Sequence, residues 1–348
     1  MKRLILLGVL AMVHAIAMAQ FPAMKTPQPS PKASVSQTVG ISEVTIVYSK
    51  PGIKNRKVWG DLVPYDQVWR AGANENTTLS FSHDATVGGK LLPAGTYGLH
   101  MIPTMNDWTV ILSKNSTSWG SFFYKEGEDA VRVKVKPQPV EHQEWLLYTL
   151  DNLSDKSVDV VMQWEKLKVA FKLEFDIPSI VIANARESHV RGLAGFFWQG
   201  FNQAAAYSLQ NNTNFDEALS WVDQSIAINE NFTNLQTKAG IVEKLGRQKE
   251  ADDLRTRSMT LATEADINML GYQHLGAGRI KEAVELFKKN AKDYPNSWNV
   301  YDSLGEAHEA NGDTKLAKES YAKAFSLVKD ETNKMRIGGI LKKLQTKN

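Results

Sequence analysis

Hydrophobic and polar positions along this 348-residue chain follow two different periods, and the change from one to the other divides the molecule. From Ala33 to about Phe175 the period is two. In Val44–Tyr48 (VTIVY), Val131–Lys136 (VRVKVK) and Val169–Phe175 (VAFKLEF) apolar side chains broadly alternate with polar or small ones, as in strands with one buried and one wet face. Further strands are predicted at Thr77–Ser82, Gly95–Met101, Trp108–Leu112, Trp145–Leu150 and Val158–Trp164, most of them bounded by Gly, Pro, Asn or Asp. Gly88-Gly89 between Thr86-Val87 and Lys90-Leu91 predicts a tight hairpin, because both glycines accept positive φ without steric cost. Eight or nine strands with no intervening stretch long enough for a helical crossover predict an all-β antiparallel sandwich or barrel. Between Ser49 and Asn76 the alternation lapses for about 27 residues. A compact domain rarely gives that length to a plain loop, so the stretch is expected to be functional or to contain a short helix.

From about Ile180 to the C-terminus the period becomes helical. Ala183–Leu209 reads as one helical region and Phe215–Ile228 as a second, with hairpins after Asn234, Glu264 and Ser297. Asp216, Asp266, Ser297 and Asp313 are the expected N-terminal caps, and Gly246, Gly278 and Gly312 the expected left-handed residues closing first helices. Ala218, Ala251, Ala283 and Ala317 fall 33, 32 and 34 residues apart, each on the second helix of its pair. That period marks an array of repeats, in which each pair buries its apolar face against the next. Glu331–Leu344, with Lys334, Arg336, Lys342 and Lys343, is the expected capping helix. The alternative reading of these alanines is a helical bundle without a repeat.

Aligned on their alanines, Leu270-Gly271, Gly278, Ala283 and Phe287 match Leu304-Gly305, Gly312, Ala317 and Tyr321. This pattern resembles the tetratricopeptide repeat, strongly over 264–330, partially over 234–262, where Arg255 replaces the aromatic, and more weakly over 190–230. The resemblance implies an all-α superhelical solenoid that binds a protein or peptide in a groove lined by first helices, here by Asn268, Tyr272, Asp302 and Glu306. The Lys and Asn residues that clamp a C-terminal carboxylate in some such proteins are missing from these positions. His274 and His308 occupy a consensus tyrosine position and are read as packing residues.

The N-terminal half carries a second resemblance. Ser30–Gly40 (SPKASVSQTVG), Arg56–Tyr65 (RKVWGDLVPY), Val68–Thr78 (VWRAGANENTT) and Leu92–Leu99 (LPAGTYGL) are similar to the secreted bacterial family known as domain of unknown function 2911, over about residues 30–176. The resemblance implies no activity. Within it, Trp59, Tyr65 and Trp69 offer flat faces for stacking, and Arg70, Asn74 and Glu75 offer directed donors and acceptors. The 56–75 loop is thus a candidate site for a sugar or peptide. Its competing reading is a plug in which Trp59 and Trp69 close the sandwich and Arg70 pairs with Glu75.

Catalytic spacing is missing. The chain has no cysteine, no H-E-x-x-H, no G-x-S-x-G elbow and no phosphate-binding glycine loop. His83, His100 and His142 are the weak candidates for a metal site, which would require the fold to bring them together. No cofactor is implied.

Residues 1–19 combine Lys2-Arg3, an apolar run from Leu4 to Val13 and an Ala17-Met18-Ala19 ending. This is the layout of a cleaved signal peptide, and it predicts export to the periplasm or the extracellular space without a transmembrane anchor in the mature form. Four prolines make 20–32 an extended linker. The expected domains are therefore 33–176 and 180–348. After cleavage 39 basic residues face 38 acidic ones, a net charge of +1 that gives no global attraction for nucleic acid. The sequence reading is of an exported two-domain binding protein whose repeats dock a protein or peptide. The rival reading makes the β domain an enzyme or carbohydrate-binding module that the repeats tether.

Overall fold

The computed structural model describes residues 26–345; the expected signal peptide and most of the linker lie outside them. The chain divides after Ile180 into two compact units.

In the first unit ten strands form two antiparallel sheets: β1 (Lys32–Val39), β2 (Ser42–Ser49), β3 (Thr77–Phe81), β4 (Ala85–Val87), β5 (Lys90–Leu92), β6 (Gly95–Ile102), β7 (Trp108–Ser113), β8 (Asp129–Val135), β9 (Gln138–Asp151) and β10 (Ser157–Glu174). The larger sheet runs β1-β2-β3-β6-β7-β8 and the smaller β5-β4-β10-β9. Ile46, Leu79, Leu99 and Val110 from one sheet share a core with Leu146, Tyr148, Val160 and Met162 from the other. This is a sandwich, as the alternation predicts. Gly88 and Gly89 take φ of +57° and +79° between Val87 and Lys90, the two left-handed residues of the expected hairpin. Two expectations change. The segments 158–164 and 169–175 are one strand, β10, carried through register shifts around Glu165, whose φ is +57°. The irregularity breaks the period that the sequence displays while leaving the strand continuous.

The 49–76 stretch contains no helix. It is fastened along the sandwich by paired backbone bonds of 2.8 Å between Trp69 and Met101, and by Ile53 N–H donating to Glu144 O at 3.0 Å. Ile53, Val58, Trp59, Val63 and Ala71 go into the core. Ala71 pays for its place with φ of +51°, a conformation that costs a non-glycine residue on the order of 1 kcal/mol.

The second unit is helical: α1 (Ile177–Asn184), α2 (Trp198–Gln210), α3 (Phe215–Ile228), α4 (Phe232–Lys244), α5 (Gln248–Thr260), α6 (Glu264–Gly276), α7 (Ile280–Asp293), α8 (Trp298–Ala310), α9 (Thr314–Leu327) and α10 (Glu331–Gln345), with α1 beginning on the sandwich side of the division. The expected single region 183–209 is broken by a π turn at Ala185–His189 and a 3-10 turn at Leu193–Phe196. From α2 onward the helices pair as α2/α3, α4/α5, α6/α7 and α8/α9, with α10 closing on α9. Ala218, Ala251, Ala283 and Ala317 are all fully buried. Gly246, Gly278 and Gly312 take φ of +78°, +74° and +84°, as expected of residues that close first helices.

The caps differ in detail. Asp266 is the third residue of α6 and completes a reciprocal box with Thr263, its Oδ2 accepting from Thr263 N–H at 2.9 Å. Asp216 lies in the first turn of α3, where its charge favours the positive end of the helix, and Asn214 takes the cap position. Ser297 and Asp313 hold cap positions without side-chain cap bonds, and Ser297 Oγ donates to Glu264 Oε1 at 2.7 Å.

Candidate functional site

The six candidate residues of the 56–75 loop go to different places. Trp59 is buried and meets Trp108 edge-on at 4.7 Å, with Trp69 and Trp164 completing an aromatic cluster inside the sandwich. Trp69 Nε1 donates to Gly72 O at 3.2 Å. Tyr65 lines a cleft of about 520 Å³ with Thr104, Asp107 and Lys136. Asn74 donates through Nδ2 to Ser30 O at 3.2 Å. Glu75 lines a separate cavity of about 250 Å³ with Lys32, Asn76 and Ser118. The expected Arg70–Glu75 pair is not formed, because the chain bends after Arg70, with Ala71 and Asn74 at φ of +51° and +59°, and the two side chains part. While Trp69 enters the core, Arg70 goes to the outer face, where its Nη1 lies against Gly120; a Cβ on residue 120 would be 2.3 Å from it.

Arg70 thereby joins a polar cluster that sequence reasoning did not single out. On β7 both faces are covered. Trp108, Val110 and Leu112 belong to the sandwich core, while Thr109, Ile111 and Ser113 point the other way and are also buried. His100, directly opposite Ile111 on β6, shares that outer face. Its Nδ1 lies 3.0 Å from Ser121 Oγ, and its ring meets Tyr124 at 5.4 Å. Tyr124 Oη donates to Asp129 Oδ2 at 2.7 Å. Burial pulls the His100 pKa down to about 4 and raises that of Asp129, and burial first, then Asp129, raises that of Tyr124. The imidazole is therefore neutral near pH 7. Trp119, Phe122 and Phe123, in the segment 114–128 that carries Ser121 and Tyr124, are exposed. A legible signal was present: the aromatic run W-G-S-F-F-Y sits where strand alternation has stopped.

The three histidines named as metal candidates do not converge. His83 Nδ1 lies near Ser42 Oγ and Ser82 Oγ, at 3.1 and 3.0 Å, His100 is under the 114–128 segment, and His142 is exposed on β9. Among the described residues no group of three His, Cys, Asp or Glu side chains is placed to hold a metal ion.

On the repeats, Tyr272 Oη donates to Glu306 Oε2 at 2.8 Å and lies 3.2 Å from Ser303 Oγ. Burial, with Glu306 adding to it, pushes the Tyr272 pKa up to about 12. Asp302 Oδ2 accepts from Arg336 Nη2 at 2.6 Å, so the capping helix α10 closes one end of this row. Asn268 lines a cleft of about 650 Å³ with Glu264, Tyr294 and Asn299. Asn268 Oδ1 and Asp302 Oδ1 are buried without a hydrogen-bond partner. His274 Nδ1 faces Arg279 Nε at 3.2 Å, and His308 is buried within α8.

Residues 30–173 match the family model described as Protein of unknown function (DUF2911). No curated protein matches the chain. Among solved structures it is similar to the MamA protein, at 14% identity over 43% of this chain and 81% of that one, with a TM-score of 0.27. YrrB, described as a TPR protein with an unusual peptide-binding site, shares 15% identity over 47% of this chain and 84% of its own, TM-score 0.28. The C-terminal part of a TPR repeat-containing protein from Cytophaga hutchinsonii shares 15% over 43% and 59%, TM-score 0.29. A region similar to DUF2911 is thus followed by tetratricopeptide-like repeats, the latter defined by the glycine, alanine and aromatic positions that its helix pairs bury. Among the described residues no helix is long and apolar enough to cross a membrane.

Proposed function

We propose that this protein is an exported binding protein whose helical repeats dock a protein or an extended peptide along the row Asn268, Tyr272, Asp302 and Glu306. The observation that carries the reading is the pair of unsatisfied acceptors in that row, Asn268 Oδ1 and Asp302 Oδ1. A buried acceptor without a donor costs on the order of 1–3 kcal/mol, and a rotation of either side chain on docking would bring its oxygen to a backbone N–H of an extended peptide. Tyr272 and Glu306, already bonded to each other, form a preset wall beside these acceptors, so little ordering is left for the partner to bring about.

Selection of peptides from a random display library on the full-length protein tests the idea. Enriched sequences should bind with micromolar affinity and weaken at least tenfold in Asn268→Ala and Asp302→Ala. Enriched peptides indifferent to both changes would refute docking in this row. Export is supported by the N-terminal layout, and cell fractionation with N-terminal sequencing checks it: a mature chain beginning at Gln20 outside the cytoplasm is the expected result.

A further inference from the structure

Arg70 is the cation without a partner in the outer-face cluster, where Glu128 Oε2 and Asp129 Oδ1 are also buried without one. Asp129 has Arg132 within 3.6 Å, and Arg132 also pairs with Glu126. Arg70, in contrast, forms no hydrogen bond or ion pair among the described residues, and its Nε is buried without a partner. Removing a guanidinium from water without an acceptor is costly enough that folded proteins seldom leave one so. Burial alone depresses the Arg70 pKa, which is the same imbalance seen from the proton's side.

Gly120, with φ of +64°, lets the backbone come against Arg70 Nη1, a position that a Cβ would block. The N–H groups of Trp119, Gly120 and Ser121 have no acceptor among the described residues. Ser121 Oγ–H adds a hydroxyl, placed by the neutral His100 ring. Successive backbone N–H groups around a left-handed residue, next to a guanidinium fork, are a donor set suited to an oxyanion. Trp119, Phe122 and Phe123, at 56, 79 and 68% exposure, extend from it an apolar surface for the body that carries the anion.

We infer that Arg70, the Gly120-Ser121 backbone and Ser121 Oγ form a binding site for a small carboxylate ligand whose ring or apolar body lies on Trp119 and Phe122. A carboxylate is favoured because its two oxygens match the guanidinium fork in one plane. Tyr65 and Glu75, which line other cavities, take no part.

Calorimetric titration of the full chain with benzoate and with glucuronate tests this, against benzamide and glucose as neutral counterparts of similar shape and inorganic phosphate as an oxyanion without a body. One or both carboxylates should bind at millimolar or better affinity, at least tenfold more tightly than their neutral counterparts and than phosphate. Arg70→Gln should abolish the difference between charged and neutral probes, and Trp119→Ala, an exposed change that leaves the core intact, should weaken the carboxylate several-fold. Ser121→Ala supplies a second reading should Arg70→Gln fail to fold, and should weaken the carboxylate selectively. Equal binding of charged and neutral probes, tighter binding of phosphate than of either carboxylate, indifference to both Trp119→Ala and Ser121→Ala, or no binding of any probe at millimolar concentration would overturn the site.

Discussion

Gly271 on α6 lies under the ring of Phe287 on α7: a Cβ at residue 271 would stand 2.6 Å from two of its ring atoms. Gly305 meets Tyr321 in the same way at 2.9 Å, so the helix crossing is repeated one unit later. Gly271→Ala should destabilise the helical unit by about 1–3 kcal/mol, since the ring is fully buried and has no room to retreat. Phe287→Ala removes the partner and should cost about 3–5 kcal/mol. Urea unfolding followed by far-UV circular dichroism measures both, and a Gly271→Ala protein as stable as the parent would show that the crossing tolerates a methyl group.

Four residues beyond Ala251, where Ala283 and Ala317 are followed by Phe287 and Tyr321, the chain has Arg255. Its guanidinium turns to Glu243 at 2.5 Å, and a cleft of about 570 Å³ opens beside it, lined by Met259, Leu270 and Leu286. The expected aromatic is missing at this step of the array, and packing between α5 and α6 is correspondingly sparse. Arg255→Phe should fill the cleft and stabilise the unit by about 0.5–2 kcal/mol, because the exposed pair it gives up contributes about 1 kcal/mol or less. A rise in urea midpoint without change in slope is the expected reading.

How far the sequence disclosed these features depended on whether their cause is local. The repeats were legible because each glycine, alanine and aromatic answers to a contact at fixed spacing within one helix pair. Gly88-Gly89 was legible because a two-residue turn is set by its own φ angles. The loop candidates were legible only as residue types. Trp59 and Trp69 are core because Trp108 and Trp164, from distant strands, meet them, and no property of positions 56–75 encodes those partners. Arg70 is legible as a directed donor, and proximity in sequence alone puts Glu75 beside it. The backbone alternation instead delivers Arg70 to Gly120, some fifty residues away. The likeness of His83, His100 and His142 as ligand types carried no information about which face of which strand would hold each.

Tyr148 Oη and Thr77 Oγ1 both donate to the carbonyl of Ala71, at 2.9 and 3.1 Å, and thereby hold the left-handed turn that redirects the chain after Arg70. Either donor alone keeps the carbonyl satisfied. Tyr148→Phe and Thr77→Val should therefore each cost about 1 kcal/mol, and the double variant should cost more than the sum, because it leaves a buried acceptor orphaned. A double-mutant cycle from chemical denaturation provides the coupling, and strict additivity would mean that the two donors act independently.

His100 gives the sandwich a defined response to acid. Burial lowers its pKa from 6.5 to about 4, so in the interval between these values the unfolded chain takes up a proton that the folded chain refuses. Stability from this group is complete above pH 6.5 and falls as pH drops toward 4, by roughly 3 kcal/mol across the interval. His100→Gln keeps a polar side chain near Ser121 Oγ while removing the titration, and it should flatten that part of the profile. Residual slope is expected from His308, whose pKa burial also lowers, but on the helical unit. Urea midpoints measured from pH 4 to 8 on parent and variant, compared at each pH, isolate the contribution of His100, because His308 and the rest of the helical unit are common to both. An unchanged slope below pH 6.5 in His100→Gln would show that this imidazole reaches water in the folded protein.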